Sequence, residues 1–140
     1  MARDLERFAE WLDRKDGDVP PDGFSDEVIA ECFDPANLER LIRCDARAVF
    51  TGWCGDTMEI CLLLDGEVIA QASFMTDGCG VTVACGSMLT KMAKGLSLDE
   101  ARAIESSRLD DALGGLPADH AHCAELAIRT LRNAIANHRT

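Results

Sequence analysis

Positive charge and long apolar runs are what this sequence has least of. Its 140 residues contain 14 lysines and arginines against 25 aspartates and glutamates, so the formal net charge is −11. DNA binding depends on cations that neutralise phosphates, and this balance therefore argues against a nucleic-acid partner; a basic protein is a better complement. No apolar run approaches the length of a membrane span, and residues 1–7 lack the apolar core of a secretory signal. We therefore expect a soluble, cytoplasmic protein that binds neither membranes nor nucleic acid.

Internal repeats and low-complexity segments are also missing, and the length suits one domain with a hydrophobic core. Hydrophobic periodicity and capping residues predict helices at 4–14, 26–33 and 81–94, a short helix after Ser97, and a last helix from about 119 almost to the end. Alternating patterns predict strands at 46–51, 58–64 and 67–74. Asp65-Gly66 predicts a two-residue hairpin between the last two strands. Strands followed by helices predict an α+β domain, with helices packed on one face of a small antiparallel sheet.

The sequence has no Cys-x-x-Cys pair of the zinc-ribbon type, yet it contains seven cysteines. Their odd number and the lack of a secretory signal argue against a disulfide framework. In a reducing compartment, cysteines in glycine-rich loops more often bind metal or carry out redox chemistry. Cys32 and Cys61 fall inside a predicted helix and a predicted strand, and Cys85 falls on the helix after Cys79. We expect these three to pack in the core, while Cys44, just before the first strand, stays ambiguous.

Three cysteines lie where a predicted element begins or ends. Cys54 lies in the Gly52–Asp56 turn between the first two strands, Cys79 lies between two glycines before a helix, and Cys123 starts the last helix. Glycine leaves a neighbouring sulfur exposed, and a helix N-terminus favours the thiolate, which is the form that binds metal. Asp56 and His122 each lie within two residues of one of these cysteines. Three thiolates with a carboxylate or an imidazole suit zinc or a 2Fe–2S cluster, provided that the fold brings them together.

At this point the motifs resemble a known family, the U-type iron–sulfur cluster scaffolds, which include IscU and the amino-terminal domain of NifU. The resemblance covers roughly residues 26–138 in order, and three cysteine motifs in the correct order are far more specific than any one of them. The matching stretches are Asp34–Asn37, Cys54–Ile60, Ala72–Phe74 with Gly78–Gly80, Met88–Thr90 with Lys94-Gly95, Leu98–Ala101, Leu113–Pro117 and His122–Ala127.

This resemblance implies a three-stranded antiparallel sheet with flanking helices, in a scaffold domain at 25–140 preceded by an N-terminal extension at 1–24. It implies a scaffold rather than an enzyme, which accepts sulfur from a cysteine desulfurase together with iron and passes a 2Fe–2S cluster to apo-proteins. Cys54, Cys79 and Cys123 match the cluster ligands. Asp56 matches the aspartate that tunes cluster lability, and His122 matches an alternative ligand. The same site could hold zinc instead. The resemblance leaves open whether the protein forms a homo-oligomer.

The sequence departs from the family in the segment before the third cysteine. Where the family usually has a lysine that an Hsp70-type chaperone reads, this chain has His120. The departure argues against chaperone-assisted transfer.

Two other functions compete with the scaffold. A zinc-dependent sulfurtransferase would relay persulfide from a desulfurase, but relatives of that type carry an insertion between the second and third cysteines that this chain lacks. A structural zinc module would hold its metal until it unfolds.

Overall fold

The structure, a computed structural model, describes residues 24–139. The helix predicted at 4–14, and with it nearly all of the extension expected at 1–24, lies outside the described residues. The strands are β1 (Ala46–Thr51), β2 (Thr57–Asp65) and β3 (Val68–Thr76). They form an antiparallel sheet in the order β1-β2-β3, which confirms the predicted small antiparallel sheet. Gly66 has a φ of 64° in the predicted hairpin turn, a conformation that glycine adopts without strain.

The helices pack against one face of this sheet. Among residues 24–139, none of them is long and apolar enough to cross a membrane. Ser25 caps the first helix by accepting a hydrogen bond from the amide of Val28, and Ser97 caps the short helix as predicted. The helix at 106–112 is not predicted from the sequence, and its N-cap residue Glu105 makes no side-chain capping bond that would signal it. The helices are α1 (Asp26–Phe33), α2 (Gly80–Ala93), α3 (Leu98–Arg102), α4 (Ser106–Ala112) and α5 (Ala121–Arg139), with a short 3-10 turn at Ala118–His120 before the last.

The hydrophobic core lies between one face of the sheet and the helices. Helix α5 packs on β1 and β2, and α2 packs on β3. The side chains of Ile60, Leu62 and Phe74 are almost fully buried there. A Cβ atom at Gly86 would come within 2.4 Å of the Phe74 ring, so glycine at this position allows α2 to lie close to the sheet. The predicted α+β architecture is confirmed.

Strand register decides which loops meet. Thr51 pairs with Thr57, and Met58 pairs with Thr76. The β1–β2 turn and the end of β3 therefore lie at the same end of the sheet. The Asp77 carboxylate accepts a hydrogen bond from the amide of Thr57 at 2.8 Å and ties the two loops together. This end of the sheet carries the first two candidate cysteines.

The segment 34–45 crosses the opposite face of the sheet. It pairs with the edge of β3 through Leu38, and Arg40 reaches the Glu59 carboxylate at 3.3 Å. The crossing ends at a disulfide between Cys44 and Cys61, whose Cα atoms are 5.7 Å apart. The sequence predicts Cys61 as a core residue and no disulfide framework. Cys61 is buried, but its place on the face that this segment crosses also pairs it with Cys44, a contact that no local pattern reveals.

The two remaining core cysteines behave as predicted. Cys32 is buried, and its thiol donates a hydrogen bond to the carbonyl of Gly80. Cys85 is fully buried on α2, and this burial raises the pKa of its thiol. A thiol held neutral in an apolar setting is a packing residue.

Candidate metal centre

The Cys54 turn is closed by its own backbone. The amide of Gly52 donates to the carbonyl of Asp56 at 2.9 Å, and the amide of Gly55 donates to the carbonyl of Gly52 at 3.0 Å. Gly55 has a φ of 94°, in the region that residues with a side chain rarely adopt. The turn leaves the Cys54 thiol exposed. The glycines therefore serve the role that the sequence analysis expects of them.

Cys79 is the N-cap residue of α2, and its carbonyl accepts the first helical hydrogen bond from Val83. Its thiol is exposed. Gly78 is required beside it, because a Cβ atom there would lie 2.7 Å from the Thr82 side chain. The pKa of the Cys79 thiol is lowered to about 5, chiefly by a hydrogen bond from Cys123 and further by the hydroxyl and amide of Thr82.

Cys123 lies in the first turn of α5 and is fully buried. The pKa of its thiol is raised, first because it donates a hydrogen bond to the Cys79 sulfur and then because it is buried. The opposite directions of the two pKa shifts favour a thiolate at Cys79 and a proton on Cys123. A divalent metal between them would replace that proton.

Thr82 lies at the centre of the site, although the sequence analysis does not single it out. It is fully buried. Its hydroxyl oxygen lies 3.4 Å from the Asp56 carboxylate, 3.4 Å from the Cys123 sulfur and 3.7 Å from the Cys79 sulfur. The hydroxyl has one proton, so it donates to one of these acceptors at a time. The only sequence signal was its position three residues after Cys79, which places both on one side of the first helical turn.

Two histidines lie near the third cysteine, and their rings are stacked with centroids 6.3 Å apart. The Nε2 atom of His122 lies 3.7 Å from the Cys123 sulfur, and its ring packs edge-on against the exposed Trp53. A ring nitrogen of His120 and the sulfurs of Cys79 and Cys123 all lie within 4.8 Å of one another. The sequence motifs predict His122 as an alternative ligand, whereas His120 stands out in the sequence only as a departure from the family. The missed signal is the spacing of three residues between His120 and Cys123.

The structure therefore brings four of the five predicted site residues into one connected network. The sulfurs of Cys79 and Cys123 lie within 4.8 Å of each other, Thr82 links both to Asp56, and His122 lies 3.7 Å from Cys123. Cys54 does not belong to the tight group of two sulfurs and one imidazole. It lines an adjacent cleft of about 210 Å³ together with Trp53 and His122. Sulfur and imidazole donors of this kind suit zinc or iron.

The sequence matches the NifU-like N terminal domain family over residues 23–140. It is 36% identical over 116 residues to iron–sulfur cluster assembly scaffold protein IscU 1 of Archaeoglobus fulgidus, covering 82% of this chain and 76% of that protein. It is 36% identical over 122 residues to the scaffold protein IscU of Haemophilus influenzae, covering 83% of this chain and 95% of that one. The crystal structure of a NifU-like protein (N-terminal) from Brucella abortus has the same fold, with a TM-score of 0.67 at 16% identity over 82% of this chain and 93% of that one.

Proposed function

The chain belongs to the NifU-like N-terminal domain family, and from that premise we propose that it is a scaffold on which iron–sulfur clusters are assembled. Relatives that match it over more than four fifths of its length are named iron–sulfur cluster assembly scaffolds. The observation that carries the proposal is that the sulfurs of Cys79 and Cys123 and an imidazole nitrogen lie within 4.8 Å of one another where the family motifs meet. Residues 25–140 form the scaffold domain in this proposal, and residues 1–24 are an extension.

The proposed cargo is a 2Fe–2S cluster held by Cys54, Cys79 and Cys123. Such a cluster needs four terminal ligands, and Asp56 and His122 are the candidates for the fourth. The carboxylate of Asp56 is within hydrogen-bond reach of Thr82, which also contacts two of the sulfurs. A hard oxygen donor binds iron less covalently than a thiolate does, so its presence suits a cluster that must leave.

The exposure of the thiols suits the proposed delivery of sulfur and iron and the proposed transfer of the cluster. Cys54 and Cys79 are exposed, while Cys123 is buried beneath them. A cysteine desulfurase can reach the outer thiols to deliver sulfur, and an apo-protein can approach the cluster from the same side. We propose that this takes place in the cytoplasm, where a reducing environment keeps these exposed thiols free to bind metal and sulfur. Zinc competes for the same donors and is the metal expected when iron is scarce.

Anaerobic reconstitution with iron, cysteine and a desulfurase tests the scaffold function. Wild-type protein should develop the visible absorption of a 2Fe–2S cluster, with equal iron and sulfide. Cys54→Ser, Cys79→Ser and Cys123→Ser should each abolish stable assembly, because each removes a sulfur ligand. Cys61→Ser is the control, since Cys61 lies on the far face of the sheet in a disulfide. A Cys61→Ser protein that folds normally but loses the cluster would show that these ligands are wrongly assigned.

A persulfide relay with bound zinc is the second candidate function, and the separate position of Cys54 favours it. Cys54 is exposed and lies outside the group of Cys79, His120 and Cys123. A metal held by that group leaves Cys54 free to accept sulfur. Mass spectrometry after reaction with a desulfurase distinguishes the two functions. A relay yields a persulfide on Cys54 with zinc retained and no cluster, whereas a scaffold exchanges the metal and builds the cluster.

A further inference from the structure

We propose that His120 is a metal ligand, which together with Cys79 and Cys123 forms a three-donor site for a single divalent ion such as Zn²⁺ or Fe²⁺. The proposal rests on the proposed function of the two thiols but adds a donor that the motif resemblance places elsewhere, on His122. It also assigns a role to the residue that stands where the family usually has a lysine.

The first argument is that the distances among the three donor atoms suit one ion. The His120 ring nitrogen and the two sulfurs all lie within 4.8 Å of one another. In a tetrahedral site with bonds of about 2.3 Å to sulfur and 2.0 Å to nitrogen, the donors lie roughly 3.5–3.8 Å apart. Rotation of exposed side chains closes a gap of about 1 Å, and Cys79 is exposed. The three donors therefore need no change in the backbone to hold one ion.

The second argument is an unpaired nitrogen. The Nδ1 atom of His120 is buried and has no hydrogen-bond partner among residues 24–139. A buried polar atom without a partner costs free energy, and nearly all such atoms in native proteins are satisfied. A metal ion between the sulfurs would satisfy this one.

The third argument is the group on the other side of the ring. The Nε2 atom of His120 lies 3.9 Å from the Asp119 carboxylate. Metal-bound histidines usually direct their second ring N–H at a carboxylate, a carbonyl or water, which fixes the tautomer and strengthens the donor. The arrangement points to Nδ1 as the ligand atom, with Nε2–H facing Asp119.

The backbone around His120 holds the ring in place. The 3-10 turn is closed by the His120 amide, which donates to the carbonyl of Pro117 at 2.8 Å. The ring of Phe24 packs against the imidazole with centroids 5.1 Å apart. His122 has a different setting, because it packs on Trp53 and lines the cleft beside Cys54. Although the two rings are stacked 6.3 Å apart, only His120 joins the group with Cys79 and Cys123, whereas His122 lines the cleft beside Cys54.

This site would hold one ion while Cys54 remains unligated. A metal bound by His120, Cys79 and Cys123 fills three positions and leaves a fourth open to water, to Asp56 or to an incoming sulfur. Assembly would then start from a preloaded ion, and His120 would give way when the cluster takes Cys54 as a ligand.

Co²⁺ titration of the metal-free, reduced protein tests the ligand directly, because thiolate charge-transfer and ligand-field bands report the donors without any cluster. Wild-type protein should bind one Co²⁺ with the strong visible bands of a tetrahedral site. His120→Gln should weaken Co²⁺ binding by at least about tenfold, the loss found even for outer-shell changes, and should shift the ligand-field bands. His138→Gln is the control, because His138 is exposed near the C-terminus and its ring contacts the carbonyl of Asp45. Nitrogen NMR of the imidazoles should show a Zn²⁺-induced shift at Nδ1 of His120.

The outcomes separate this inference from the proposed function. If His120→Gln keeps its fold by circular dichroism and binds Co²⁺ as wild type does, with the same bands, His120 is not a ligand. An equal or larger loss in His122→Gln would likewise overturn the assignment. If wild-type protein shows no thiolate charge-transfer band at all, the two sulfurs do not bind metal, and the proposed function fails with it.

Discussion

Two groups of cysteines lie at two places in this molecule, and they differ in their bonding and in the side chains around them. Cys54, Cys79 and Cys123 lie at one end of the sheet, in a turn and at two helix starts, and are free thiols. Cys44 and Cys61 lie on the opposite face and are bonded to each other. The first group contacts a hydroxyl and imidazoles, whereas the second joins a crossing segment to β2. The difference teaches that a thiol beside a turn or a helix start can meet donors from several elements, while Cys44 and Cys61 bond to each other and serve as a cross-link.

The largest expected effect contrasts the reactivity of Cys79 with that of Cys85, six residues later on the same helix. The pKa of Cys79 is lowered to about 5, because Cys123 donates a hydrogen bond to its sulfur. Its thiolate therefore persists above about pH 5, and alkylation by iodoacetamide in metal-free protein should stay fast from pH 8 down to pH 6. A thiol with an ordinary pKa near 8.5 loses roughly tenfold in rate per pH unit over that range. Cys85 is fully buried and the pKa of its thiol is raised. It should react at least about a thousandfold more slowly than Cys79, because it becomes accessible only when the protein unfolds.

Mass spectrometry of the modified peptides measures both rates in one sample. Cys123→Ala is the control, since it removes the hydrogen bond that lowers the pKa, and the rate at Cys79 should then fall steeply between pH 8 and pH 6. A Cys79 rate that falls as steeply in the wild type would contradict the assigned thiolate.

The free thiols could be found from the sequence because their signals are local. Glycines beside Cys54 and Cys79 and a helix start at Cys123 are visible in a few residues. The strand at 46–51 follows from its residue pattern, and the helix at 26–33 follows from the Ser25 cap and its apolar residues. The Cys44–Cys61 pair depends on the path of the segment 34–45 across the sheet. That path is a feature of the tertiary structure and leaves no local pattern in the sequence. Thr82 and His120 were missed for a related reason. Each becomes part of the site only when α2 and the 3-10 turn bring it against the sulfurs.

A second prediction removes the structural cysteine pair. The cross-link joins residues that are 17 apart in sequence, and closing a loop of about 15 residues stabilises a protein by roughly 3 kcal/mol. Reduction of the disulfide, or Cys44→Ser, should lower the free energy of unfolding by about that amount in urea denaturation. Co²⁺ binding should not change, because Cys44 and Cys61 lie away from the metal donors.

The response to reductant provides the internal check. Wild-type stability should fall when a reductant is added, whereas Cys44→Ser should be as unstable without reductant as with it. Loss of Co²⁺ binding in folded Cys44→Ser protein would show that the two cysteine groups are coupled, and the contrast between them would fail.

The smallest expected effect concerns Asp56 and Asp77, two aspartates at the end of the sheet that carries Cys54 and Cys79. Asp56 lies 3.4 Å from the Thr82 hydroxyl, and its turn is closed through its backbone carbonyl rather than its side chain. Asp77, by contrast, accepts a backbone hydrogen bond from Thr57 with its carboxylate. Asp56→Ala should therefore leave stability nearly unchanged and lengthen the lifetime of the bound cluster severalfold, because a hard oxygen donor is lost from a site of softer thiolates.

Asp77→Ala is the matched control that separates a role in cluster lability from a role in capping a turn. It should lower the free energy of unfolding by about 0.5–2 kcal/mol, as other lost caps do, without prolonging the cluster. Cluster decay in air, followed by visible absorption beside thermal unfolding of the same samples, measures both quantities. If Asp56→Ala behaves like Asp77→Ala, with a less stable fold and unchanged or faster decay, then Asp56 only supports the turn. If cluster decay slows while unfolding is unchanged, the Asp56 carboxylate acts on the cluster itself. Release of the cluster then depends on this carboxylate, which the Thr82 hydroxyl links to the sulfurs.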